Sequence, residues 1–337
     1  MPKSRKIAAI CLVVLVAGAA YCGWWVVVAD RFEQGVDNWI AQQARHGWVL
    51  DYTKRTQTGF PGAIDIRLEA PSLVIAGEIR RKWSTDHLSL SLKPWAIDRL
   101  LFDAKGDHRW QIGAPGRNPV YQASAQQWHG EIGLTAGVIS AVSFEMDEVT
   151  VSDPEHRQAW HLAGANVATQ LTKNQSPTFN LRFRELEFPQ TVDAPLGRRI
   201  AHFDARGELT GTLSLAAVPD LLMQWSDSGG TVDFASFDLD YPPLRMRGAG
   251  TLALDAALQP VAAFSVKAEG FFAAMDILHG QGLIPLGTSF AAKIALAVLS
   301  KTPEGGGPSY LELPLTVQER TFYAGSIALF KLRPVYW

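Results

Sequence analysis

Past residue 29 the chain contains no cysteine. Cys11 and Cys22, the two present among 337 residues, both fall inside one apolar run. Disulfide frameworks and cysteine-rich metal sites are thereby excluded from the greater part of the protein. The sequence also lacks G-x-S-x-G, H-E-x-x-H and a phosphate-cradling glycine loop, so the common nucleophile, zinc and nucleotide signatures are missing. Basic charge is not in excess. Three of the 31 Lys and Arg precede the apolar run, leaving 28 against 33 Asp and Glu, a net of −5. That balance gives no electrostatic footprint for nucleic acid. No sharp internal repeat occurs.

What is present begins at the N-terminus. Residues 1–6 form a basic tail carrying Lys3, Arg5 and Lys6, and residues 7–29 carry no charged side chain. As a helix rising about 1.5 Å per residue, this run spans roughly 34 Å, enough for a hydrocarbon core of about 30 Å. The basic residues on the short side place the N-terminus in the cytoplasm, and Trp24 and Trp25 mark the far interface. The expected topology is therefore a single pass, N-terminus cytoplasmic, with residues 48–337 delivered across the membrane. The alternative is a cleaved signal peptide, for which Ala17-Gly18-Ala19 is the best site; the run of WWVVVA beyond it favours a retained anchor.

Residues 30–47 read as an amphipathic exit helix, with Phe32, Val36, Trp39, Ile40 and Gln43 near one face and Gly47 at its end. Alternation then takes over. Ile64, Ile66 and Leu68 point one way, and Asp65, Arg67 and Glu69 the other. The same holds for Leu88-Leu90-Leu92, for Phe179-Leu181-Phe183 and for Leu311-Leu313-Leu315-Val317. A period of two with one polar face predicts half-buried antiparallel strands. The fold class is mainly β, an antiparallel sheet, curved or sandwich-like, with a few short helices. Phase slips predict bulges near Ala235-Ser236 and between Met146 and Val149, and Pro314 suggests an edge strand. Helices are expected at 216–226, 271–280 and 288–300, with a connection at 302–308. A subdivision near residue 190 is the one candidate boundary in 48–337.

Candidate chemistry is thin. His156 and His161 are five apart and share no face on a helix or a strand; the other histidines stand alone. Asp227 and Asp233 flank Gly229-Gly230, which reads as a hairpin turn, and Asp238 and Asp240 read as a solvated strand face. Asp233, Asp238 and His202 are the residues a hydrolase reading would use. No catalytic, cofactor-binding or metal-binding residue is assigned, and no cofactor. The eleven tryptophans fit either core packing or the wall of an apolar groove.

The order of several short motifs is informative. A basic-led anchor and an exit helix precede Gly59-Phe60-Pro61, which opens a strand; Trp225, Gly230-Thr231-Val232, Tyr241-Pro242-Pro243 through Asp255, and Leu313 through Ile327 follow. In this order the chain resembles the alphaproteobacterial family known as domain of unknown function 2125. Its closing strands are similar in style to AsmA-like envelope proteins, whose sheets form elongated grooves tied to outer-membrane lipid homeostasis. The departure is at Glu319-Arg320, where an acidic or Asn residue followed by Gly is expected. The resemblance implies a non-enzymatic, membrane-anchored envelope protein that contacts lipid or a biogenesis partner through a curved sheet. The alternative is a scaffold that docks envelope proteins without binding lipid.

Overall fold

The computed structural model describes residues 3–45, 47–75, 80–113, 120–153, 158–171, 176–190, 192, 194–211, 218–284, 293–294, 296–303 and 306–335. The chain opens with α1 (Lys3–Ala44). It continues through β1 (Trp48–Asp51), β2 (Lys54–Thr58), β3 (Ile64–Glu69), β4 (Ser72–Ile75), β5 (Arg80–Ser84), β6 (His87–Lys93) and β7 (Ala96–Lys105). Next come β8 (Asp107–Gly113), β9 (Val120–Ser124), β10 (Gln127–Thr135), β11 (Val138–Asp153), β12 (Gln158–Gln170), β13 (Thr178–Glu187) and β14 (Arg199–Leu209). After α2 (Val218–Asp227) follow β15 (Val232–Tyr241), β16 (Leu244–Leu254), β17 (Pro260–Glu269), α3 (Phe271–Gly280), β18 (Tyr310–Gln318), β19 (Thr321–Ala324) and β20 (Ile327–Lys331).

The membrane-length run and the exit segment are one continuous helix, not two. Residues 10–44 include a window of mean hydropathy 2.2, long and apolar enough to cross a membrane. Gly47, with φ of 80°, turns the chain back so that β1 and β2 run alongside the second half of α1.

Every described pairing is antiparallel, and the strands follow one another as a meander. Early strands come in broken pairs: β1 with β2, β4 with β3, β5 with β6, β8 with β7, and β9 with β10 each form one long strand interrupted near its middle. The two arms, β2-β3-β6-β7-β10 and β1-β4-β5-β8-β9, merge on the long β11. Beyond β11 the order is simply β12 through β20. Among the described residues no ladder joins β20 back to β1 or β2. The sheet is not closed. Strands on both sides of residues 188–198 are neighbours in this same sheet.

The interruptions line up across the sheet. They fall at Ala70, at Thr85-Asp86, at Gly106, at Ala125-Gln126, at Glu148, at Ala163 and at Glu185, each opposite the next. Ala70, Gly106, Glu148 and Glu185 have φ of 48°, 97°, 48° and 51°. Only Gly106 avoids the side-chain cost of that conformation, and a Cβ there would collide with Asp86. The expected bulge between Met146 and Val149 is thus one member of a fold line, and the bulge at Ala235-Ser236 is also present.

Three other expectations change. Asp227-Ser228-Gly229-Gly230 is the C-terminus of α2 rather than a hairpin: Gly229 has φ of 73° and the Gly230 amide donates to Trp225 O at 2.8 Å. Pro314 lies in an internal strand. It pairs with Ser265 on one side, and on the other its carbonyl accepts from the Gly325 amide, where β19 has ended and no ladder donor is needed. Glu319 and Arg320 make the two-residue hairpin without Asn or Gly, both with positive φ, 48° and 61°. Of the helix expected at 288–300, residues 293–294 and 296–299 are helical and 288–292 and 295 lie outside the described residues.

Candidate functional site

Strict alternation and strict register together sort the side chains by face. One row crosses thirteen strands, from Gln57 through Ile66, Leu90, Phe102, Gly130, Phe144, Val167, Leu181, Ala205, Phe237, Gly248 and Val266 to Leu313. Two residues along, a second row runs from Ile64 and Leu92 through Leu100, Ile132, Val142, Thr169, Phe179 and Phe234 to Phe264 and Leu315. On the other flank lies a third, Leu68-Leu88-Ala104-Trp128-Met146-Ala165-Phe183-Phe203-Leu239-Met246-Ala268-Leu311. Twelve strand spacings of about 4.8 Å give a stripe roughly 58 Å long, and three rows make it roughly 13 Å wide.

The opposite face carries Arg67, Ser89, Asp103, His129, Glu145, Asn166, Arg182, Asp204, Asp238, Arg247, Lys267 and Glu312 in one row. Ion pairs lace it, among them Arg247–Asp238 at 2.8 Å and Lys301–Glu312 at 2.6 Å.

The apolar face is covered at its ends. At one end Val28 and Ala29 of α1 pack on Ile64 and Leu92, with Trp25 and Phe32 beside them. At the other, Phe271, Leu296 and Leu311 form one cluster, and Met275 and Ile284 another against Ile327, Leu329 and Phe330. Between them the buried side chains are small: Ala104, Ala165 and Ala205 are 2%, 3% and 2% exposed. The large ones there, Phe102, Phe144, Met146, Val167, Leu181, Phe183 and Phe203, are only half-buried. Rings lie flat on the floor because cross-strand glycines admit them; a Cβ at Gly130 would stand 2.6 Å from the Phe102 ring. Consistent with an open sheet, the chain exposes 20458 Å². A compact monomer of its mass would expose about 13,600 Å².

Three tryptophans come together on this face beside the fold line. His108 stands 4.9 Å from Trp128 and 6.1 Å from Trp83, centroid to centroid, and Trp110 lies 6.2 Å from both tryptophans. His108 is 2% exposed and neither ring nitrogen has a hydrogen-bond partner. Burial pushes its pKa down, against smaller opposing effects of Asp107 and Asp86. Trp225, on α2, is instead buried beside Gly230 and donates to Thr210 O, while Trp95 and Trp160 are exposed.

The remaining sequence candidates fall elsewhere. Lys3, Arg5 and Lys6 lie in the first turns of α1, their side chains outside the described ones. Trp24 and Trp25 are tied to the sheet domain, donating to Pro94 O at 3.1 Å and Gly62 O at 2.9 Å. His202 and Asp238 do meet, at 3.1 Å, but Arg247 shares the carboxylate and the group lies on the open charged face. Asp233 is separate, accepting from Thr231 and Thr251 hydroxyls. Asp240 pairs with Arg245 at 3.1 Å. His161 meets the Thr150 hydroxyl, and His156 lies outside the described residues. Along the fold line a shallow depression of about 400 Å³ is lined by Gln126, Gln127, Asp147, Glu148, Ala163, Arg184 and Glu185. Among the described residues no three of His, Cys, Asp and Glu stand as metal ligands.

A family described as "uncharacterized protein conserved in bacteria (DUF2125)" matches residues 25–333. The chain belongs to this family. No curated protein and no solved structure matches it. The matched region takes in the docked half of α1 and the whole meander, so the DUF2125 unit includes the packing of helix on sheet.

Sequence reasoning identified the alternating strands but not the rows. Periodicity assigns each strand two faces. Only register shows that the apolar faces of successive strands coincide over the entire sheet.

Proposed function

We propose that this DUF2125 protein is a non-enzymatic, membrane-tethered lipid-binding protein that holds acyl chains on the open apolar face of its sheet. In this reading α1 crosses the bacterial inner membrane with Lys3, Arg5 and Lys6 in the cytoplasm, the sheet lies in the periplasm, and the protein serves envelope biogenesis. One observation carries the reading: three apolar rows, interrupted by Gln57 at the α1 end and Thr169 within the sheet, run from beneath a membrane-length helix and are half-exposed in mid-sheet. The uncovered middle of this stripe is a contiguous apolar surface, of the kind that marks an interaction site on a soluble protein. Water is a poor covering for such a surface, and an acyl chain needs nothing from it but dispersion and exclusion of water.

The test is a photocrosslinking amino acid at Leu181, on the stripe, and at Arg182, on the reverse face, in the full chain within its native membranes. The expected outcome is lipid adducts, seen by mass spectrometry, at Leu181 and none at Arg182. Protein adducts at Leu181 without lipid would overturn the reading in favour of a scaffold that docks envelope partners.

A further inference from the structure

The first turns of the sheet are fastened to α1 at a depth where that helix is still apolar. Tyr21 donates to Pro61 O, Trp24 to Pro94 O and Trp25 to Gly62 O, and the Trp25 ring meets Phe60 edge-on at 5.3 Å. Farther along, Gln57 donates to Ala29 O, and Arg55 pairs with Glu33 and Asp37. Helix and first strand therefore run alongside one another, and the turn at 59–63 points toward the N-terminal, apolar part of α1. The turn at 94–95 joins the third and fourth long strands of the meander, and the turn at 136–137 the fifth and sixth, so both lie on this same rim.

Depth follows from the helical rise. If the hydrocarbon begins near Ile7, about 30 Å of core at about 1.5 Å per residue ends near residue 27. Tyr21 then lies roughly 9 Å inside the core, and Trp24 and Trp25 roughly 3 to 5 Å inside. The turns bonded to them lie at the same depth. Irregular backbone survives in lipid only where its polar groups are satisfied. These turns go part of the way to that condition: Pro61 and Pro94 have no N–H, the Gly62 amide donates to Gly59 O, and the three carbonyls named above each receive a side-chain donor from α1. Their outward side chains are apolar and exposed: Phe60 at 56%, Trp95 at 65%, Ile97 at 54% and, one turn further, Val138 at 68%.

We propose that this rim is set into the bilayer that α1 crosses, with Phe60, Trp95 and Ile97 immersed at the acyl–headgroup boundary. Past the α1-covered Ile64 and Leu92, the same apolar row continues through Leu100 and Ile132 a few residues behind the rim, and there the stripe opens toward the lipid. The inference rests on α1 spanning the membrane and extends the lipid reading to the route by which a chain enters.

The experiment uses the full chain with Cys11 and Cys22 replaced by Ser, reconstituted in phosphatidylcholine–phosphatidylglycerol vesicles. Single nitroxide labels are placed through Phe60→Cys, Trp95→Cys, Leu15→Cys on α1 and Gln190→Cys on the opposite rim. Relaxation by oxygen against a water-soluble nickel chelate reads depth. Labels at 60 and 95 are expected to favour oxygen as the label at 15 does, with 190 favouring nickel. If 60 and 95 behave like 190 while 15 favours oxygen, the span stands and the immersed rim is wrong. If 15 also favours nickel, the span itself is wrong, and the rim proposal falls with it.

Discussion

The ends of the apolar face and its middle are built from the same strands in the same register, yet they differ in what lies on them. At the ends a helix or helical segment covers the sheet, and Ile64, Ile284 and Leu311 are 0%, 1% and 1% exposed. In the middle nothing described lies over Phe144, Leu181 or Phe203, and the buried side chains of the three rows there are alanines. Burial of large side chains is what stabilises a fold, so the ends carry the stability. The uncovered middle leaves that source of stabilisation unused, which is the difference the proposed lipid binding would account for.

The largest expected effect tests this division directly. Ile64→Ala removes a fully buried side chain wedged between β3 and α1 and should cost about 2–5 kcal/mol, a transfer loss plus a cavity. Leu181→Ala, half-buried with free space above it, leaves no enclosed cavity and should cost roughly 1 kcal/mol. Denaturant unfolding of both variants, followed by near-ultraviolet circular dichroism in the same micelles, checks the pair. Equal losses would mean that the middle is packed as tightly as the ends, and the comparison would break.

A smaller effect comes from His108, which sits where the covered and open regions meet. Its pKa is lowered in the folded protein from the ordinary 6.5 because burial disfavours the imidazolium. The unfolded chain therefore binds the proton first as pH falls. Stability is whole above about pH 6.5, declines below it by at most about 1.4 kcal/mol per pH unit, and levels off once the folded pKa is passed. A His108→Phe variant should lose this component of the pH dependence between pH 7 and 5, read as the difference between the two stability profiles. A variant with an unchanged profile would mean that water reaches the imidazole, and the tryptophan cluster would then belong with the open middle.

Much of the fold was legible in the sequence, and for a definite reason. Ile64-Ile66-Leu68 and Phe179-Leu181-Phe183 alternate because one side of each strand faces the stripe and the other faces water, a one-dimensional signal. The apolar run was equally plain. The exit helix was not separable by composition, because a charged Asp30-Arg31 ends an apolar run without ending a helix. That Trp24 and Trp25 are also bonded to the sheet domain is invisible in the sequence, since no pattern reveals that an indole N–H will meet a carbonyl some seventy or forty residues away. The fold line was half visible. Its phase slips show at Glu148, but Ala70 and Glu185 have positive φ that neither residue type advertises. Above all, the stripe depends on register between strands, which no single strand encodes.

The smallest expected effect lies on the reverse face and fixes the other side of the comparison. Arg182 faces Asp204 across β13 and β14 at 2.5 Å, yet the two side chains are 58% and 39% exposed. Exposed pairs of this kind gain little, because water already solvates both charges and holding two long side chains still costs entropy. Arg182→Ala should change stability by less than about 0.5 kcal/mol, and the difference should shrink further in high salt. A loss comparable to that of Ile64→Ala would require Asp204 to be left unsolvated, and hence the charged face to be covered. The one-sided sheet, apolar on one face and wet on the other, predicts that the small value is the one measured.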